Sequence, residues 1–326
     1  VSAELQEERP STARDADTRS EVDSTVPTSV LPEISSLLVV VMWASTFVIT
    51  KDAFDDIEPL AFIFARFLAV SVIALTVLAV RGQQDGQGGR ARYWVVRRAD
   101  WPTFVAAGIT GYAFYQITFT LGLANTSAFS SSLMISMIPL FSLAFVAVRG
   151  ERPPLMTWIG VGVSLAGVAI FLAERTGDSG MLGNALSLAA AASFALYGIV
   201  NRPLVRAYPP ETVSAYATLI GTVPLLLVGA PAAIRQEWTA LPVSAWLTLA
   251  YMAIFPVYLA YIMWNWAIGQ RGVAATSWNL LVPIISGVLS AIVFSEAFGP
   301  LKILGGALAI TGLIVMQTRR QRLRST

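Results

Sequence analysis

The sequence contains neither histidine nor cysteine, which excludes a thiolate nucleophile, a histidine relay, a disulfide and a Cys/His metal site. Serines are plentiful, with Ser130, Ser131, Ser132 and Ser136 close together. A serine nucleophile needs an adjacent base, and no histidine, deep lysine or deep acid supplies one. The chemistry left is recognition. Arg66 lies in the middle of one apolar stretch, and other stretches carry tyrosines, tryptophans and amides set at helical spacing. Tyr112 and Gln116 are one turn apart, and Ser193, Tyr197 and Asn201 continue one face. Tyr251, Phe255, Tyr258, Ile262 and Asn265 line another, while Asn279, Pro283 and Ser290 share a stripe.

Of the nine tryptophans, Trp94, Trp101, Trp158, Trp238 and Trp246 fall at the ends of apolar stretches and read as interfacial anchors. Trp43, Trp264, Trp266 and Trp278 do not fit that role so easily. A buried Tyr or Trp needs a partner for its polar atom. A cavity lined by such rings and by amides, with no acid and one arginine, suits a neutral or zwitterionic amphipathic solute, and aromatic amino acids fit it. Helix packing is the plain alternative for any one of these rings. Arg66 has two readings as well: a partner for a substrate carboxylate, or a structural group binding backbone carbonyls and helix ends. A nucleotide-sugar or phosphate substrate predicts several basic residues within the spans, where only Arg66 is found.

The elements that must hold these residues are membrane helices. The chain is 326 residues long, 55% hydrophobic and 13% charged, with mean hydropathy +0.65, whereas a soluble domain is about a quarter charged. Ten stretches approach the ~20 apolar residues that cross a bilayer: 34–51, 59–80, 101–121, 125–148, 154–173, 181–201, 212–230, 243–268, 272–295 and 300–317. None alternates with period two, which argues against a β-barrel. Residues 1–33 carry eight acids against three arginines and read as a disordered acidic cytoplasmic tail. They show no basic segment followed by an apolar one, so they do not read as a signal peptide. The Gly/Gln/Arg-rich insert at 81–100 reads as a cytoplasmic loop.

With the N-terminus inside, 17 of the 22 basic residues fall on the cytoplasmic side. Lys51, Arg175, Arg235 and Lys302 fall outside, and Arg66 lies within a span. The positive-inside rule therefore predicts that both termini are cytoplasmic. The basic pI then reflects topology and does not indicate a nucleic-acid partner.

The two halves resemble each other. Glu151, Gly160 and Gly167 are matched by Glu296, Gly305 and Gly312, with the same spacings of nine and seven. Pro139 and Pro283 precede the glutamates by twelve and thirteen residues, and Pro153/Pro154 or Pro300 follows them. Trp43-Ala44-Ser45-Thr46-Phe47 matches Ser193-Phe194-Ala195-Leu196-Tyr197 more weakly. Five spans per half is an odd number, so the halves are predicted to be inverted. This is a recurrent transporter architecture, in which the paired prolines are candidate gating hinges. The small faces Gly160/Ser164/Gly167 and Gly305/Ala309/Gly312 read as close-packing surfaces. The predicted divisions are a tail (1–33), a first repeat (34–173), a periplasmic linker (174–180), a second repeat (181–317) and a basic cytoplasmic tail (318–326).

These features together resemble the drug/metabolite transporter superfamily: Trp-Ala-Ser-Thr-Phe in the first span, Arg66 in the second, and a twice-repeated Pro, Glu, Gly, Gly pattern. The ten-span EamA-type branch is the nearest match, and within it the chain resembles bacterial aromatic amino-acid exporters of the YddG type. The resemblance implies a cavity between the halves, gated by rocking bundles, in a bacterial inner membrane. Small four-span members of the superfamily exchange protons through a glutamate in the first span. Here no acid lies between Ile34 and Thr50, so that mechanism is not carried over.

The expectation is an all-α, ten-span carrier that exports aromatic or related apolar amino acids by facilitated diffusion or exchange. Its expected substrate-binding residues are Trp43, Arg66, Tyr112, Gln116, Tyr197, Tyr258, Trp264, Trp278 and Asn279. Expected partners are the small-molecule substrate and membrane lipid; neither cofactor nor metal is expected, and a monomer suffices. The alternatives are export of amphipathic drugs or of another amino-acid class such as threonine. A membrane enzyme or a non-transporting interaction protein lacks any supporting motif.

Overall fold

Proline and charge mark where the helices begin and end. α1 (Leu31–Ala53) has Glu33 in its first turn and Lys51 in its last, the signs that complement the helix dipole. α2 (Pro59–Gln84) opens on proline, whose missing N–H costs nothing at a first helical position. A computed structural model describes residues 30–84, 96–148, 150, 154–173, 180–271, 278–279, 281–295 and 298–322. Most of the predicted tail and loop, together with Glu151, Glu174 and Glu296, lie outside the described residues.

A 3-10 turn, Arg98–Asp100, leads into α3 (Trp101–Gly108). α4 (Tyr115–Ala124) continues the same stretch, followed by α5 (Ala128–Ile135), α6 (Ile138–Val148) and α7 (Leu155–Ala173). The second half runs through α8 (Met181–Val200), α9 (Arg202–Ala207), α10 (Pro210–Arg235), α11 (Val243–Met252), α12 (Ala260–Arg271), α13 (Leu281–Phe294) and α14 (Pro300–Arg322). No strand occurs among the described residues.

Among the described residues, eight stretches are long and apolar enough to cross a membrane: Leu31–Ala53, Pro59–Val80, Arg98–Ala124, Ala128–Phe145, Leu155–Ala173, Met181–Ala207, Glu211–Arg235 and Val243–Trp264. Leu281–Phe294 and Pro300–Val315 are apolar but shorter, where the sequence predicts a ninth and a tenth span. Residues 272–277 and 280, part of the predicted ninth, lie outside the described residues.

Aliphatic side chains cover the outside of the bundle as well as filling its core. Leu227 and Ile292 are each 72% exposed, while Ser130, Ser131, Ser132 and Ser187 are fully buried. Lipid solvates the aliphatic groups, and the small hydroxyls let helices approach and bond within the bundle. Ser131 and Ser187 share a hydrogen bond of 2.9 Å between α5 and α8, and Thr126 donates to Asn184 at 2.9 Å.

The close-packing faces predicted on the fifth and tenth stretches meet each other. Ser164 donates to the Ala309 carbonyl at 2.7 Å. A Cβ on Gly305 would lie 2.4 Å from the Phe171 nitrogen, and one on Gly167 would lie 2.3 Å from the Ala309 nitrogen. Backbone touches backbone between α7 and α14, which only glycine permits.

Three landmarks recur in both halves. Two stretches are interrupted by π-helix, at Ile109–Phe114 between α3 and α4 and at Ala253–Leu259 between α11 and α12. Their starting residues are 144 positions apart, as are Pro139 and Pro283. The prolines form the second landmark. Pro139 is the second residue of α6 and Pro283 the third of α13, so each occupies a first turn and not a helix interior. Third, Gly150 after α6 and Ser295 after α13 both take positive φ, 88° and 52°. Helices commonly end on such a left-handed residue, and in the second half a serine does what glycine does more readily.

Candidate functional site

The π segment at 253–259 holds Pro256. Proline cannot donate to the carbonyl four residues back, and a widened turn accommodates the loss. The Pro256 carbonyl accepts a hydrogen bond from Trp43 Nε1 at 3.2 Å, which binds α1 to this segment. The other π segment holds Gly111 and Tyr112. A Cβ on Gly111 would sit 2.3 Å from Tyr197 Cδ2, so glycine allows the Tyr197 ring to lie on the backbone. Ser193 donates to the Thr110 carbonyl at 2.6 Å and fixes α8 against the same segment.

These contacts build a continuous series of rings across the bundle. Trp264 packs on Trp43 with centroids 5.2 Å apart, and Trp43 meets Tyr261 edge-on at 5.9 Å. Tyr261 stacks on Tyr112 at 6.4 Å, and Tyr112 meets Tyr197 at 6.0 Å. The series continues through Phe194 (5.5 Å) to Tyr115 (4.9 Å). Offset and edge-to-face pairs of this kind contribute roughly 0.5–1.5 kcal/mol each beyond area burial, enough to hold the rings in register. Asn201 Nδ2 donates to the Tyr197 hydroxyl at 3.1 Å, which in turn interacts with Tyr112.

Arg66 lies beside this series and is 1% exposed. Its Nη2 donates to Gln116 Oε1. The guanidinium carbon is 5.3 Å from the Phe62 ring centroid and 5.0 Å from that of Phe67, within cation–π range. Tyr115 and Tyr261 are close enough to interact with it electrostatically. Among the described residues no carboxylate forms an ion pair with it. The Arg66 Nε is buried without a hydrogen-bond partner. An unmet buried donor is costly, and an acceptor brought by a solute would satisfy it.

A cavity of about 280 Å³ opens beside the rings. Val70, Ala74 and Val77 of α2 form one wall. Glu211, Ser214 and Thr218 of α10 form a second, and Tyr112, Tyr258, Tyr261 and Trp266 close it. Glu211 in the wall differs from the acid-free lining expected from the sequence. The reason is register: α10 begins against the end of α2, which carries the acid of its first turn into the opening.

Of the expected residues, Trp43, Tyr112, Tyr197 and Trp264 are joined through ring contacts, and Arg66 and Gln116 through a hydrogen bond. Tyr258 joins Tyr112 in the cavity wall. Trp278 packs on the apolar cluster around Val40, Ala44 and Phe47 that also receives Trp43. Asn279 has its Oδ1 buried without a partner, and no described contact links it to the others. The Asn265 side chain lies outside the described residues. Several site residues have no place in the expected set: Tyr261, at the junction of the rings, Phe194 and Tyr115 farther along them, and Trp266 and Glu211 in the cavity wall. For Tyr261 the available signal was its position one turn from Tyr258.

Comparison with known proteins places these features in a family context. The EamA-like transporter family matches the chain twice, at residues 31–173 and 181–318. A probable terminal-alkyne amino-acid exporter of Streptantibioticus cattleyicolor is 32% identical over 299 residues, covering 89% of this chain and 95% of that protein. A probable amino-acid metabolite efflux pump of Salmonella typhimurium is 27% identical over 294 residues, covering 86% and 92%. A solved structure of 22% identity aligns with a TM-score of 0.60 over 90% of this chain and 98% of that one, which shows a shared fold.

Proposed function

The chain belongs to the EamA-like transporter family, and from that premise we propose that this multi-pass helical membrane protein exports aromatic or related apolar amino acids and metabolites. It does so by alternating access between two inverted five-span repeats, with both termini in the cytoplasm of a bacterial inner membrane. The domain divisions are those drawn from the sequence: 1–33, 34–173, 174–180, 181–317 and 318–326. The observation that carries the substrate reading is the series of rings from Trp264 to Tyr115 beside the buried Arg66–Gln116 pair. Rings stack on an aromatic side chain, and the unmet Arg66 Nε donates to a substrate carboxylate. Similarity to a probable terminal-alkyne amino-acid exporter of Streptantibioticus and a probable amino-acid metabolite efflux pump of Salmonella supports the same class. Trp43, Tyr112, Gln116, Tyr197, Tyr258, Trp264, Trp278 and Asn279 complete the binding set.

Pro139 and Pro283 are the hinges. Each sits just beyond the start of a helix, at matched positions in the halves, where a rocking bundle bends without breaking interior hydrogen bonds. Coupling to protons usually needs buried carboxylates within spans, and the spans carry none at depth. Facilitated exit or exchange follows.

The test is flux in proteoliposomes of the purified protein with labelled phenylalanine, tryptophan, threonine and a cationic dye. Saturable flux of the first two is expected, falling at least tenfold in Trp43→Ala and Tyr258→Ala while the protein stays inserted. Saturable flux of the dye alone overturns the reading. A strict requirement for an imposed pH gradient, abolished by protonophore, overturns the coupling assignment.

A further inference from the structure

We propose that Glu211 is the ammonium-recognising group of a vestibule distinct from the deeper Arg66 region, selecting solutes that pair an organic ammonium with an aromatic or apolar body. This rests on the export reading above and adds to it a first binding station. Among the described residues, Glu211 is the only charged one in the wall of the 280 Å³ cavity. It is half-buried, and among the described residues it forms no ion pair. As the second residue of α10 its carboxylate complements the helix dipole, leaving its outward oxygens for a ligand. The rings of Tyr258 and Trp266 line the same cavity. Aromatic faces attract cations, most strongly when partly desolvated. An acid and rings lining one apolar cavity are the arrangement that binds an ammonium and rejects a lone carboxylate.

Register separates this station from Arg66. Ser71 donates to Thr222 at 3.1 Å, and Gly229 lies against Leu60 and Phe64, so α2 and α10 run antiparallel. Arg66 is then five residues beyond that level in one direction and Glu211 eleven in the other. At 1.5 Å per residue the two are roughly 24 Å apart along the bundle, too far for one amino acid to span. Tyr112 and Tyr261 belong to both the cavity wall and the ring series, and so form the passage between the two. Glu211 marks the end that the charge distribution assigns to the cytoplasm, where an exported solute is first met. An amino acid enters ammonium-first at Glu211 and reaches Arg66 with its carboxylate later.

The experiment uses full-length protein in proteoliposomes, with phenylalanine, phenethylamine (ammonium, no carboxylate) and 3-phenylpropionate (carboxylate, no ammonium) as competitors of labelled phenylalanine flux. Glu211→Gln is expected to weaken competition by phenethylamine at least tenfold, and to leave 3-phenylpropionate within twofold. Glu211→Asp is expected to retain most of the phenethylamine effect. Trp266→Leu tests the rings independently, and a several-fold weakening for phenethylamine is expected. The proposal is overturned if Glu211→Gln affects all three competitors equally, or if neither Glu211→Gln nor Trp266→Leu affects phenethylamine. If the unaltered protein shows no saturable phenylalanine flux, the export reading fails. Phenethylamine binding, followed by tryptophan fluorescence, then tests the vestibule alone: binding lost in Glu211→Gln supports it, and unchanged binding overturns it.

Discussion

Gln116 holds a guanidinium that has no carboxylate within reach among the described residues. Its Oε1 accepts from Arg66, and the faces of Phe62 and Phe67 lie within cation–π range of the same group. A hydrogen bond to a charged group contributes about 1.5–3 kcal/mol, and losing it strands a charge in low dielectric. Gln116→Leu should therefore lower stability by about 2 kcal/mol, measured by denaturant titration in mixed micelles. Gln116→Glu should lose less, because it restores an acceptor. At this scale residue type was a good guide. Trp43, Tyr112, Tyr197 and Trp264 stand out because rings and polar tips in mid-span need partners, and the structure gives them one another. Glu211 did not stand out, since an acid in a first turn suits any helix. Only the register of α10 against α2 turns it towards a cavity.

Among the elements, α7 and α14 make the most sequence-specific contact. The Gly305 Cα faces backbone atoms of Phe171 and Gly167, and backbone cannot step aside as a flexible side chain does. Gly305→Ala should separate the helices and cost on the order of 2 kcal/mol or more through overpacking. Gly162, on the same α7, has nothing within 4 Å of an added Cβ. Gly162→Ala should be neutral or stabilise by up to about 1 kcal/mol through helix propensity. Thermal unfolding midpoints check both: that of Gly305→Ala should fall, and that of Gly162→Ala should hold or rise. The glycine spacing that makes this pair was legible because it occurs twice with identical intervals. The π segments were not legible: an extra residue in a turn carries no pattern of its own. It arises where Trp43 docks on Pro256 and Tyr197 on Gly111, contacts between residues far apart in the chain. The prolines were legible as matched pairs but not as first-turn residues, since a break at Ser136–Met137 depends on how α5 and α6 pack.

For the whole molecule, aliphatic side chains cover the outside as well as the core, small hydroxyls join the helices, and among the described residues a single guanidinium, that of Arg66, lies deep within the bundle. Across an energised membrane, each elementary charge falling through 100 mV releases about 2.3 kcal/mol. A protein that opens a polar path through such a membrane must not short-circuit it. A fixed positive charge raises the local potential against protons and metal cations, a barrier that pores use to exclude them, while a zwitterion with no net charge passes with little penalty. Arg66 is thereby expected to act as an electrical seal. Proteoliposomes filled with a pH-sensitive dye and given a potassium diffusion potential should show proton entry near the protein-free rate. Arg66→Gln should raise that entry several-fold, and an unchanged rate would leave the insulation of the membrane to the rings alone.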